Sequence, residues 1–182
     1  MAAEKICEYA PDDKAGAIIV GSHVTQQLKQ DGIQGIEIDV TKISTQWSRL
    51  LKDIVSDAED CHSKNITPVI YTSRTEFQFE DQESHLPFGE QISAFLMDAV
   101  RNLPETTGFL ISKSGIASND VLSDGLALRT SRVVGQILAG CSVVRCPENH
   151  PRFPDIPVVI LPGNAGDVQA LVTVYQRMKP MN

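Results

Sequence analysis

The sequence predicts a three-layer α/β fold: a largely parallel sheet with helices on both faces. Short apolar runs of strand length recur along the 182 residues, at Ala17–Val20, Pro68–Thr72, Phe109–Ile111 and Val158–Leu161. Unbroken apolar runs of this length suit strands buried on both faces, as in parallel sheets. Stretches with helical spacing separate them, and alternation of strands and helices is the pattern of that architecture. The third observation is punctuation. Gly21-Ser22-His23, Ser73-Arg74, Lys113-Ser114-Gly115 and Gly163-Asn164 each follow a strand directly. In open α/β sheets, ligands gather outside the carboxyl ends of the strands.

Residues 1–15 are polar and aperiodic, with Pro11-Asp12-Asp13 as a turn signal, and read as a linker or lead-in to a domain over residues 16–182. The first strand, Ala17–Val20, is followed by a helix from Val24 to Asp31 that stops at Gly32, a residue suited to a helix end. Ile36–Val40 alternates in the manner of an edge strand. Ile43, Trp47, Leu50, Leu51, Ile54, Val55 and Ala58 then recur at helical spacing, so Trp47 belongs to the core face of a long amphipathic helix. After the third strand, Thr75–Pro87 is an acidic loop, and Phe88–Leu103 is a helix with Ile92, Phe95, Leu96, Ala99 and Val100 on one face.

The stretch from Gly108 to Gly140 organises the rest. Its first strand breaks at Ser112–Gly115, a helix restarts near Ser118-Asn119-Asp120, and Val133–Leu138 forms another strand ending at Ala139-Gly140. This reads as a βαβ unit, whose parallel strands need such a crossover. Beyond it lie an irregular stretch with four prolines between Cys146 and Pro157, the strand Val158–Leu161, the turn Pro162–Asp167 and a helix from Val168 to Met178.

Composition narrows the function classes. A net charge of -7 and a pI of about 5.0 argue against non-specific nucleic-acid binding, which needs a concentrated basic face. No apolar run approaches the roughly 20 residues of a membrane span, and the first residues lack the layout of a secretory signal. Four sparse cysteines form no disulfide framework, so a reducing, cytoplasmic setting is expected.

The turn after Phe109–Ile111 has the parts of an anion site. Small residues offer backbone N–H groups, Lys113 offers charge, and a helix N-terminus favours negative charge. We read it as facing the phosphates of a nucleotide. The plainer account is an ordinary strand-to-helix turn with Lys113 in solvent and Ser118 or Asn119 as an N-cap worth roughly 1 kcal/mol. Gly163–Asp167 has the same two readings, with Asp167 in the first turn of the last helix. No residue stands out as a magnesium ligand. Cys141, Cys146 and His150 are zinc-type ligands without a fourth, and structural zinc normally takes four.

Three stretches in order and spacing carry a resemblance: Gly21-Ser22-His23-Val24, Lys113–Asp120 and Pro162–Asp167, together with Arg129–Gly140. From about Ala17 to the end, the chain resembles the C-terminal, nucleotide-binding domain of the four-carbon acid sugar kinase family, in the branch fused to dehydrogenase and aldolase domains. The resemblance implies an ATP-binding domain, with Mg2+, whose γ-phosphate goes to a sugar-acid hydroxyl held by an N-terminal domain. It makes Ser22 a nucleotide contact and wraps the phosphates with Lys113, Ser114, Gly115 and Ser118. Gly163, Asn164 and Gly166 form another wall, and Gly140 carries over from a further turn. Where the family has two glycines and then a threonine, this chain has Ser114-Gly115 and Ala117. That departure leaves a second reading open: a non-catalytic regulatory or interaction module that keeps the fold and has lost tight ATP binding. The implied partners are the nucleotide, the N-terminal domain and a possible second copy of the chain.

Overall fold

The structure is a computed structural model that describes residues 13–21, 32–73, 85–113, 117–163 and 169–179. The helix expected over Val24–Asp31 lies outside the described residues, as does the expected loop apart from residues 85–87. Seven strands are described: β1 (Ala17–Val20), β2 (Ile33–Ile38), β3 (Thr67–Thr72), β4 (Leu110–Lys113), β5 (Arg132–Leu138), β6 (Cys141–Arg145) and β7 (Pro157–Leu161). They form one sheet in the order β2-β3-β1-β4-β7-β6-β5. The first four neighbour pairs, from β2–β3 to β4–β7, are parallel, and β7–β6 and β6–β5 are antiparallel.

Helices cover both faces, and strand alternation decides which residues meet which helix. On one face Ala17, Ile19, Ile36, Ile38, Ile70, Leu110 and Val158 pack with residues of α1 (Ile43–Ser63) and α2 (His85–Arg101). On the other, Ile18, Val20, Val69, Ile111, Val159 and Leu161 pack under Leu171, Val174, Tyr175 and Met178 of α4 (Ala170–Met178). The central strands are thus buried on both sides, which is why their sequences read as unbroken apolar runs. Trp47 takes its expected place against the core. Its ring meets Phe95 edge-on at 5.0 Å, and its indole N–H donates to Asp98 Oδ2 at 3.0 Å. Among the described residues no helix is long and apolar enough to cross a membrane.

The βαβ reading of residues 108–140 is corrected. β5 lies three strands from β4, at the sheet edge, and pairs only with β6, antiparallel. The Ala139-Gly140 turn closes this hairpin, and Gly140 sits at φ +77°, a conformation glycine takes without steric cost. The helix after β4 is also shorter than a crossover: α3 (Ala117–Asp120) passes into one wide π-type turn at Val121–Gly125. α2 begins at His85, three residues earlier than expected, because Pro87 falls in the first turn, where its missing N–H is not needed.

The chain enters at the amino end of the sheet. The Gly16 amide donates to Thr67 Oγ1 at 3.2 Å, and the Gly16 carbonyl accepts from His62 Nε2 at 3.0 Å. Asn65 Nδ2 donates to the Asp13 carbonyl at 3.2 Å, and Lys179 Nζ lies 3.7 Å from Asp13 Oδ1. Residues 13–16 are therefore tied to the ends of α1 and α4.

Candidate functional site

Five parallel strands end at one sheet edge, and the register shows what meets there. Val20 pairs with Lys113 and Lys113 with Leu161, so the carboxyl ends of β1, β4 and β7 are level. Gly163 follows two residues after Leu161 and is exposed. Because Ser142 pairs with Ile160 in the antiparallel direction, the hairpin turn at Gly140 reaches the same edge. Lys113, Gly140 and Gly163, far apart in sequence, are brought to one side of the sheet.

β1 and β4 are neighbours whose chains leave in opposite directions. After β1 the chain goes to β2 on one side; after β4 it goes to the β7-β6-β5 side. This is the topological switch point, the place where ligands bind in open α/β sheets. Lys113 sits at it, half-buried. Alternation puts its side chain on the same face as Ile111, the face of α4, while the fully buried Ser112 faces the other way.

The remaining predicted site residues are less completely placed. The Ser118 backbone lies in α3, directly after the turn. Ser22, Ser114, Gly115, Asn164 and Gly166 lie outside the described residues.

The structure adds residues that the sequence reading did not assign. Ser93 Oγ of α2 donates to Asp120 Oδ2 at 2.7 Å, which ties α3 to α2. At the same edge, beyond β3, Asp39 Oδ1 accepts from the Thr41 amide at 3.1 Å and the Thr41 hydroxyl at 2.6 Å. Lys42 Nζ lies 2.8 Å from Asp39 Oδ2, and this bond, with the Thr41 hydroxyl, holds the Asp39 carboxyl below the usual carboxylate range. Ser73 ties the β2 and β3 ends together: its amide donates to the Ile38 carbonyl at 2.8 Å and its Oγ accepts from the Val40 amide at 3.1 Å. The signal for Asp39 was present, since an aspartate two residues before a threonine is a local cap pattern.

Cys141, Cys146 and His150 do not form a metal site. Cys141 packs in the core on the α4 face and Cys146 in the core on the opposite face, so the two thiols cannot share an ion. Both nitrogens of His150 are also committed. Nε2 donates to the Leu126 carbonyl at 2.9 Å, and Nδ1 accepts from the Phe153 amide at 2.9 Å. Burial pushes the Cys141 thiol above its ordinary range and the Cys146 thiol to about 12, so neither is a reactive thiolate.

A model of the family described as the nucleotide-binding C-terminal domain matches residues 17–171. The chain belongs to that family. As a nucleotide-binding C-terminal domain it bears out the resemblance to the four-carbon acid sugar kinases. Solved structures share the fold. One is a domain of unknown function, DUF1537, from Bordetella bronchiseptica, solved with citrate as a domain-swapped dimer; it is 14% identical, with a TM-score of 0.71 over 91% of this chain and 41% of that one. A DUF1537 protein from Haemophilus influenzae is 15% identical, with a TM-score of 0.64 over 91% of this chain and 40% of that one. The nucleotide-binding domain described here thus spans about two fifths of the length of these proteins. No curated protein matches the sequence.

Proposed function

We propose that this chain is the ATP-holding half of a four-carbon acid sugar kinase. The observation that carries the reading is the meeting of Lys113, Gly140 and Gly163 on one sheet edge, with Lys113 at the switch point. A half-buried lysine and two exposed glycines that allow close approach of backbone fit the phosphates of a nucleotide. In this role Ser22 and the Lys113–Ser118 turn hold the phosphates, and Gly163, Asn164 and Gly166 form the wall beyond β7.

Phosphoryl transfer asks a protein mainly to position the γ-phosphate and offset its charge. The Lys113 ammonium supplies that charge. The acceptor hydroxyl attacks the γ-phosphorus, the bond from that phosphorus to the β–γ bridging oxygen breaks, and ADP leaves. The hydroxyl proton goes to a base on the sugar-acid domain, which residues 1–15 would join to this one. Among the described residues no group of three His, Cys, Asp or Glu side chains could hold a metal ion. The Mg2+ that accompanies ATP would neutralise charge on the phosphates, and none of the described residues is assigned to it. The cytoplasm, where thiols stay reduced, suits the three free buried cysteines among the described residues.

Calorimetric titration of the chain with ATP and Mg2+ tests the reading. Saturable binding, with no phosphorylation of a four-carbon sugar acid by this chain alone, is the expected result. Failure to bind at millimolar ATP would replace it with the second reading, a non-catalytic module, which the Ser114 and Ala117 substitutions in the turn favour.

A further inference from the structure

A cavity lies at the opposite edge of the sheet from Lys113. Thr130, Ser131 and Arg132, which lead into β5, face Arg145, Glu148 and Asp155 across a space of about 450 Å³. That volume falls within the range of small-molecule sites. Arg145 pairs with Pro157 at the start of β7, and the β7 strand separates the cavity from the Lys113 edge by roughly 15 Å at 3.3 Å per residue.

Arg132 and Arg145 are directly opposed in the β5–β6 ladder. Opposed residues share a face with Cβ atoms about 5 Å apart, and like charges so placed repel. Asp155 answers one of them. Arg145 Nη1 donates to the Asp155 carbonyl at 2.8 Å and to its Oδ2 at 3.3 Å. Asp155 sits at φ +58°, so the loop takes an uncommon backbone conformation to present these acceptors. Nothing comparable among the described residues answers Arg132. Among the described residues, no hydrogen bond or ion pair engages its guanidinium or the hydroxyls of Thr130 and Ser131.

We propose that this cavity is a second ligand site, which takes the oxyanion of a small metabolite through Arg132 and the hydroxyls of Thr130 and Ser131. A planar guanidinium fork beside two hydroxyls is donor-rich, and that chemistry recognises phosphate or carboxylate. The Arg145–Asp155 pair is internally compensated, so Arg132 carries the open charge. Glu148 limits the charge a ligand brings, which favours a single phosphate or carboxylate over a polyphosphate. The site is independent of what binds at Lys113.

The test is a two-dimensional amide NMR titration of the chain, at constant ionic strength, with sodium phosphate in one arm and sodium succinate in the other. Saturable shifts at residues 130–132, 145, 146 and 148 are expected in at least one arm, and the arm that saturates identifies the headgroup. Arg132→Gln, at an exposed position, should weaken binding about tenfold, the scale of one charge-assisted hydrogen bond, while Lys113→Ala should leave it unchanged. Thr130→Val gives a second, charge-neutral check with a smaller loss. Shifts that stay linear in both arms, that are equal in Arg132→Gln, or that cluster around Lys113 would overturn the proposal.

Discussion

The Gly21 amide donates to the Lys113 carbonyl at 3.3 Å, the last rung between β1 and β4 among the described residues. The rung fixes the Lys113 backbone at the switch point and leaves its side chain on the α4 face of the sheet. Lys113→Ala should therefore weaken ATP binding about tenfold with little change in stability, and the loss should be larger at low salt, where screening is weaker. Calorimetry at two salt concentrations reads both effects. An unchanged affinity would remove Lys113 from the phosphate site.

Gly16 is held at the other end of β1. A Cβ there would lie 2.3 Å from Cε2 of Phe109, whose ring is fully buried and has nowhere to move. Gly16→Ala should cost about 1–3 kcal/mol through overpacking and lower the thermal midpoint by several degrees. ATP affinity of the folded protein should stay the same, because the change sits away from Lys113. A melting curve that matches the parent's would show that the ring yields.

Trp47 combines an edge-on contact with Phe95 and a bond to Asp98, and the two can be separated. Trp47→Phe keeps a ring but loses the donor, while Asp98 retains Arg101 Nη1 at 2.6 Å. The expected cost is about 1 kcal/mol. Trp47→Ala, which also empties the ring's place against the core, should cost about 3 kcal/mol. Urea unfolding followed by circular dichroism measures both, and equal losses would mean the ring contact adds nothing beyond the hydrogen bond.

His62 makes stability depend on pH. The Gly16 carbonyl can only accept, so Nε2 carries the proton and Nδ1 accepts from the Thr106 hydroxyl at 2.8 Å. Burial is the largest influence and lowers the His62 pKa; its bond to Gly16 opposes this in part. With the folded pKa below the unfolded one, the unfolded chain binds the proton first as pH falls. The contribution of His62 is therefore complete above the unfolded value of about 6.5 and diminishes below it, down to the folded pKa. The urea midpoint should fall between pH 7.5 and 5.5, and His62→Gln should reduce that fall. Identical pH dependence in parent and variant would count against His62.

The central strands were legible because burial on both faces leaves a run that only apolar residues can fill, as at Ala17–Val20 and Val158–Leu161. The β5–β6 hairpin was not. Its outer strand is half-exposed and irregular in register, and Val133 is 65% exposed, so Val133–Leu138 imitated a buried strand while being an edge. Positive φ at Gly140, which makes the two-residue turn, is invisible in a sequence where the same glycine also ends a strand. For the site, Lys113 was legible from its place after an apolar run. The convergence with Gly140 was not, since it depends on β6 running antiparallel to β7. The opposed Arg132 and Arg145 were hidden for the same reason: thirteen positions apart, they meet only through the hairpin register.

The anchoring of residues 13–16 sets a tether problem for anything joined ahead of them. Such a segment departs from the amino end of the sheet, whereas Lys113 stands at the other end. To deliver a group to that edge it must first run back along the four residues of β1, roughly 13 Å, and then cross the rim. A fully extended chain advances at most about 3.3–3.6 Å per residue, so the gap sets the shortest connector that can bridge it. Connector length would then govern the effective concentration of a tethered acceptor at Lys113, which collapses when the connector cannot span the gap and falls again as slack is added.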